Sequence, residues 1–246
     1  MKLKIFISLL TIMLSSIALG NMLQRPVEFN AAPSNVYAPQ GFDTNDNVEF
    51  IFEGQFTDAC YKVGLTHHMI DHEEKKIYIT DTGHHFDDAL CAEVLVPYQK
   101  QIHAGMLLQG NYEVLFKNSR GNFVNAGVIP VKAATSDSPD DYLYAPVKQS
   151  KFYRKSKSNT KPYLLLMGQY HNSCMKIDDV KVNQRADSNV VDILPIVKMI
   201  GDDCQDIQEG LDFEHKVDLS HLNEGRFLLH TRSLNGQSVN EIAEIR

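Results

Sequence analysis

Val48-Glu49-Phe50-Ile51-Phe52-Glu53-Gly54-Gln55-Phe56-Thr57-Asp58-Ala59-Cys60 decides how the chain is read. Its first part alternates: Val48, Phe50 and Phe52 against Glu49, Ile51 and Glu53, the period-two pattern of a strand with one buried face. Its second part is written twice. Gly54 to Cys60 recurs as Gly168-Gln169-Tyr170-His171-Asn172-Ser173-Cys174, and Lys62 and Lys176 extend the match. Upstream, Tyr37-Ala38-Pro39 recurs as Tyr144-Ala145-Pro146. Downstream, Gly110-Asn111-Tyr112 matches Gly225-Arg226-Phe227, Gly121 matches Gly236, and Val124-Asn125 matches Val239-Asn240. The matches keep chain order, which a chance coincidence does not. The reading is two homologous domains of about a hundred residues each, a normal domain size.

Other short stretches repeat the alternation. Ile77 and Ile79 alternate with Tyr78 and Thr80; Tyr112, Val114 and Phe116 with Asn111, Glu113 and Leu115; Phe227, Leu229 and Thr231 with Arg226, Leu228 and His230. Turn residues fall between them, at Asp71–Glu74, Ser119–Asn122 and Asn235-Gly236, the last a strong hairpin signal. No long stretch keeps a helical apolar period, and only Asp202 to Leu211 reads as a helical turn. The class is all-β, with each copy a β-sandwich.

The ends and joins have their own composition. Lys2 and Lys4 precede an apolar run from Ile5 to Leu19, and the small residues Ala18 and Gly20 stand where a signal peptidase cuts. Residues 1–20 are therefore expected to be a signal peptide, and the chain to be exported, periplasmic or secreted. The run is too short for a membrane span, which needs about 20 residues. Residues 133–142 are polar and carry no aliphatic side chain larger than Ala, apart from Pro139, so they read as a linker. The division is 21–132 for the first sandwich domain and 143–246 for the second.

Four cysteines fit this plan. Thirty residues lie between Cys60 and Cys91, and twenty-nine between Cys174 and Cys204. One evenly spaced pair per copy in an exported chain reads as two intradomain disulfides. A four-thiolate metal site would need close Cys-x-x-Cys pairs, and there are none.

The end of each copy has a glycine, an aromatic two residues on, an aliphatic two further, then a turn and a last strand: Gly110, Tyr112, Val114 and Gly225, Phe227, Leu229. It resembles the final hairpin of bacterial immunoglobulin-like and fibronectin-like domains. The resemblance implies two tandem immunoglobulin-like sandwiches.

Charge bounds the function. The 246 residues carry a net charge of −7, against general nucleic-acid binding, which needs a broad basic surface. Residues 21–132 hold 8 basic and 14 acidic groups, while 143–246 hold 14 of each. Against that neutral background stands one run of cations, Lys148, Lys151, Arg154, Lys155, Lys157 and Lys161, with Phe152 and Tyr153 among them and no acid. It reads as a basic loop suited to an anionic polymer or an acidic protein surface, that of the first domain included.

Histidines concentrate in the first copy: His67, His68, His72, His84, His85 and His103. With Asp71, Asp87 and Asp88 nearby, they are the alternative reading, a metal-dependent enzyme or metal-binding factor with His68 and His84 as ligands. Adjacent histidines on a strand face opposite ways, and the second copy has no equivalent cluster. The Asp-rich stretches Asp43–Asp46, Asp178-Asp179 and Asp202-Asp203 lack an EF-hand spacing. Nucleophile and phosphate-loop motifs are missing. The expectation is a non-catalytic binding protein without a cofactor; a purely structural envelope component is a third reading.

Overall fold

The computed structural model describes residues 25–246, apart from 87–89, 139, 158–159, 187 and 202. The expected signal peptide lies outside the described residues, as do Asp87, Asp88 and Asp202.

The described residues form strands and no helix. The first half holds β1 (Val27–Asn30), β2 (Asn35–Tyr37), β3 (Phe42–Asp43), β4 (Val48–Phe56), β5 (Tyr61–Asp71), β6 (Lys76–His85), β7 (Val96–Gly105), β8 (Gly110–Lys117) and β9 (Phe123–Lys132). The second holds β10 (Val147–Tyr153), β11 (Tyr163–Asn172), β12 (Met175–Gln184), β13 (Val190–Met199), β14 (Asp206–Asp218), β15 (Gly225–Ser233) and β16 (Gln237–Ile245). The stretch from Asp206 to Leu211, read from sequence as a helical turn, is strand. It opens β14, with Leu211 opposite Tyr170 and Asp206 opposite Asn172 across an irregularity, and the backbone ladder that β14 continues along β11 overrides local propensity.

Two sheets make each half. In the first, β2-β4-β7 faces a sheet in which β5, β6, β8 and β9 lie side by side, with β1 and β3 added at its margins. In the second, β10-β11-β14 faces β12-β13-β15-β16. The core of the first half takes Val48, Phe50 and Phe52 from one sheet and Ile77, Ile79, Tyr112, Val114 and Phe116 from the other. The second takes Leu164, Leu166 and Val217 from one, and Val191, Ile193, Phe227 and Leu229 from the other. Each half is thus a sandwich whose inner faces carry the alternating apolar residues.

The strand order departs from the immunoglobulin pattern. Immunoglobulin sheets are antiparallel. Here β6 runs parallel to β8, and β13 parallel to β15. The reason lies in the path. After β6 the chain crosses to the other sheet for β7, returns as β8 beside β6, and so points the same way; β13, β14 and β15 do likewise.

Both disulfides have the expected partners, Cys60–Cys91 and Cys174–Cys204, with Cα atoms 5.3 Å apart in each. Each ties the crossing between the two sheets (β4 to β5, β11 to β12) to the segment that enters β7 or β14. A loop of this size is worth roughly 3–4 kcal/mol on the chain-entropy account.

The repeated glycines are packing devices. Gly54 lies opposite Tyr98 on β7, and Gly168 opposite Phe213 on β14. The atoms nearest a Cβ on Gly54 would be those of the Tyr98 side chain, from 2.3 Å; the nearest to one on Gly168 would be the Pro146 carbonyl oxygen, at 2.2 Å. A ring can swing away and a carbonyl in a packed chain cannot. Gly168→Ala is therefore expected to cost roughly 2–3 kcal/mol, a fall in Tm of about 5–10 °C. Gly54→Ala should cost about half as much. Thermal denaturation followed by circular dichroism checks both, and equal losses would contradict the argument. At the last hairpin, Asn235 and Gly236 both adopt positive φ, 62° and 65°, as the turn between β15 and β16 requires.

Candidate functional site

β4 and β15 are buried on both faces. On β4, Glu49, Ile51 and Glu53 are as buried as the core residues between them, and on β15 so are Leu228 and His230. Sequence alternation assigns these side chains to solvent. In the structure the outer face of β2-β4-β7 packs on the outer face of β13, β15 and β16. Tyr37 and Ile51 from the first half share a buried apolar cluster with Val190, Leu228 and the half-buried Ile242 from the second.

Polar rungs flank this cluster in an ordered ladder. Arg226 donates Nε to Glu53 Oε1 at 2.8 Å and Nη2 to Oε2 at 2.6 Å, a two-pronged bond. Glu53 also accepts from the Tyr37 hydroxyl and the Asn35 amide, both at 2.8 Å. These donors, Arg226 foremost, hold the Glu53 carboxyl down at about 2 against the pull of burial. Burial, then Glu53, pushes the Tyr37 phenol up. Two rungs further, His230 Nδ1 lies 2.9 Å from Asn240 Oδ1 and 3.4 Å from Glu49 Oε1. Both neighbours are acceptors, so Nδ1 carries the proton. Ser238 and Asn240 donate to Glu49 as well. At the far end Arg232 pairs with Asp46, and Asp140 of the connecting segment accepts the backbone N–H groups of Asn235 and Gly236. Bases thus alternate along β15 as acids do along β4 and its preceding loop. The acidic surplus of the first half meets β15; the basic run is elsewhere.

That run begins on a strand and continues beyond it. Lys148, Lys151, Phe152 and Tyr153 lie on β10, and Arg154, Lys155 and Lys157 continue past its end, exposed. An edge strand tolerates lysines on its outer side, so a cation-rich stretch need not be a loop. Phe152 is partly buried against the core of its own half. Lys161 pairs with Asp218 at 3.0 Å, and Lys148 bonds Gln169. Ser220 and Lys161 together hold the Asp218 carboxyl well below the usual range.

The outer face of β10-β11-β14 carries a second ordered arrangement. Tyr153 stacks on Tyr163 with centroids 4.8 Å apart. Lys151 Nζ lies 5.3 Å from the Tyr153 ring and Lys216 Nζ 5.2 Å from the Tyr163 ring. Leu165 sits between Lys151 and Lys216 in register. Beside it runs an open groove of about 400 Å³, lined by Lys148, Gln149, Met167, Gln169, Asp212 and Glu214. This is the face that in the first half lies under β13, β15 and β16.

The histidines do not converge on a metal. His68 lies opposite Ile79, and His84 opposite Lys62, five residues further along β6, about 17 Å at strand rise. His72 bonds the Tyr112 hydroxyl at 3.1 Å, and the His85 ring lies on Tyr61. Among the described residues the one tight group of metal-ligand types is Asp58, Cys60 and Cys91, whose sulfurs are joined to each other. Of the Asp-rich stretches, Asp46 is taken by Arg232 and Asp178 by Lys198.

Residues 51–125, from β4 into β9, match the family described as ORF11 beta-sandwich domain. No curated protein and no solved structure matches the chain. The matched segment holds strands of both sheets of the first half, so the comparison and the structure agree on a β-sandwich there, and no catalytic family is found.

Proposed function

We propose that the chain is an exported, non-catalytic binding protein built from two homologous sandwich domains, 21–132 and 143–246, and that it holds an anionic polymer on the outer face of β10-β11-β14. The observation that carries this reading is the unequal fate of one face. In the first half that face is covered. In the second it is bare and bears stacked tyrosines, Lys151 and Lys216, with Arg154, Lys155 and Lys157 at its margin. Rings flanked by cations give flat contact area and positive potential together, which suits an extended negative chain. Apart from the added β1 and β3, the halves share one strand order, which supports duplication, and the two disulfides fit an oxidising compartment.

Replacing Lys151, Arg154, Lys155 and Lys157 with Ser should weaken binding to alginate or poly-L-glutamate by about tenfold or more, while Tm moves by no more than about 2 °C. Binding to the unaltered protein should fall steeply with salt, because the Debye length is only about 8 Å at physiological ionic strength. Which of the two polymers binds separates a polysaccharide from an acidic polypeptide. Binding to either that ignores both the salt and the four substitutions would overturn the assignment of this face.

A further inference from the structure

Where the two halves meet, beside the Arg232 rung, lies a cavity of about 120 Å³ that opens to solvent. Its wall joins all three parts of the chain: the Gln40–Gly41 segment of the first half, Tyr142 of the connecting segment, and Tyr144, Arg185, Asp192, His230 and Arg232 of the second half. Three buried polar atoms of these wall residues have no partner among the described residues: Asp192 Oδ1, His230 Nε2 and Arg232 Nε. Asp192 is more than nine-tenths buried and His230 almost wholly so. Buried polar atoms are normally satisfied, and three together around one opening are a built arrangement.

Their chemistry is specific. In the neutral ring, with its proton on Nδ1 toward Asn240 and Glu49, His230 Nε2 offers a lone pair. Asp192 Oδ1 offers another. Arg232 is bound to Asp46 through its Nη2 and offers Nε–H. Arg185 stands half exposed at the mouth, 3.8 Å from Asp192 Oδ2. The opening therefore presents two acceptors, one anionic, facing one buried guanidinium donor with a second cation at the rim. A free cation would meet Arg185 and Arg232. A free anion would meet Asp192 and Asp141, with Asp46 behind. A molecule that carries both charges meets neither objection, and a charged donor compensates a buried carboxylate oxygen better than a hydroxyl does. Size narrows the class, because a void of about 150 Å³ holds one benzene ring.

We infer that this cavity binds a small zwitterion of the α-amino-acid type, its ammonium on Asp192 Oδ1 and His230 Nε2 and its carboxylate on Arg232 Nε–H and Arg185. Burial raises the Asp192 carboxyl, and an arriving ammonium favours its charged form. The site uses residues separate from the polymer-binding face. It also needs both halves docked, so occupancy and docking support each other.

Titration calorimetry of the purified full chain with glycine and L-alanine tests this, with ethylammonium, propionate and glycerol as partial probes. Glycine or L-alanine should bind, and each partial probe should bind at least about tenfold more weakly, the worth of one lost charge-assisted bond. Asp192→Asn should abolish the heat. Arg185→Gln, at the exposed mouth and safe for folding, should weaken binding about tenfold with Tm unchanged, and it keeps the test decisive if the Asp192 variant misfolds. Glycerol binding as well as L-alanine, amino-acid binding indifferent to Arg185→Gln, or no heat from either amino acid would each overturn the inference.

Discussion

Leu228→Asp is expected to split one unfolding transition into two. Leu228 is fully buried in the cluster that joins the halves, with Tyr37, Ile51 and Val190 around it. Neither sandwich core contains it, because Phe227 and Leu229 point into the second core while Leu228 points out of it. An aspartate there loses the apolar contact and places a charge between Glu49 and Glu53, acids already committed to their own partners. A buried, unpaired charge costs roughly 3–5 kcal/mol, and the lost leucine contacts add to it. The cost falls on docking, since each half keeps its own core and disulfide. Scanning calorimetry is the suitable measurement, because the chain has no Trp to report by fluorescence. The unaltered protein should melt in one cooperative event, and the variant in two of smaller enthalpy. Leu211→Asp, on an exposed position of β14, should leave the single event in place. A single event in Leu228→Asp, shifted by less than about 1 kcal/mol, would mean that the shared cluster does not couple the halves.

The sequence shows the inner faces of the sandwiches more clearly than the surfaces that join them. Val48, Phe50 and Phe52 announce a buried face by period and type, and matched spacing picks the disulfide partners. Period two also assigns Glu49 and Glu53, Arg226 and His230 to the opposite face, and polar residues there read as solvated. A signal was nevertheless present. β4 carries acids around one isoleucine, and β15 carries bases around one leucine, on faces the core does not use. Complementary charge on two otherwise unexplained faces marks a docking pair, but only after each is known to be a strand. The parallel pairs β6–β8 and β13–β15 were not legible, because periodicity fixes which face a residue takes and not which strand lies next to it. Asp192 was not legible either. It stands in an apolar run, Val190-Val191-Asp192-Ile193, and acquires meaning only when His230 lies beside it in register.

Arg226→Ala should open a stability gap at neutral pH that closes on acidification. With Arg226 in place, the Glu53 carboxyl titrates at about 2 in the folded chain, against an ordinary value of 4.5. A depressed folded value means stability that is fully present above pH ~4.5 and is lost as pH falls toward ~2. The shift corresponds to at most about 3 kcal/mol. Half of the Arg226 side chain is in water, which screens the pair and brings the expected figure to about 1–2 kcal/mol. Without Arg226, burial is opposed only by Tyr37 and Asn35, and the carboxyl rises toward or past its ordinary value. The variant then loses nothing further on protonation, and the gap between the two proteins shrinks below pH ~4. The Asp46–Arg232 and Lys161–Asp218 pairs are present in both proteins and cancel in the difference. Arg226→Lys should recover only part of the gap, because an ammonium cannot make the two-pronged bond. Urea denaturation at a series of pH values from 7 to 3 measures all three proteins. A gap of constant size across that range would show that Arg226 acts through packing of its stem on the joined face, and that the charge on Glu53 contributes little to holding the halves together.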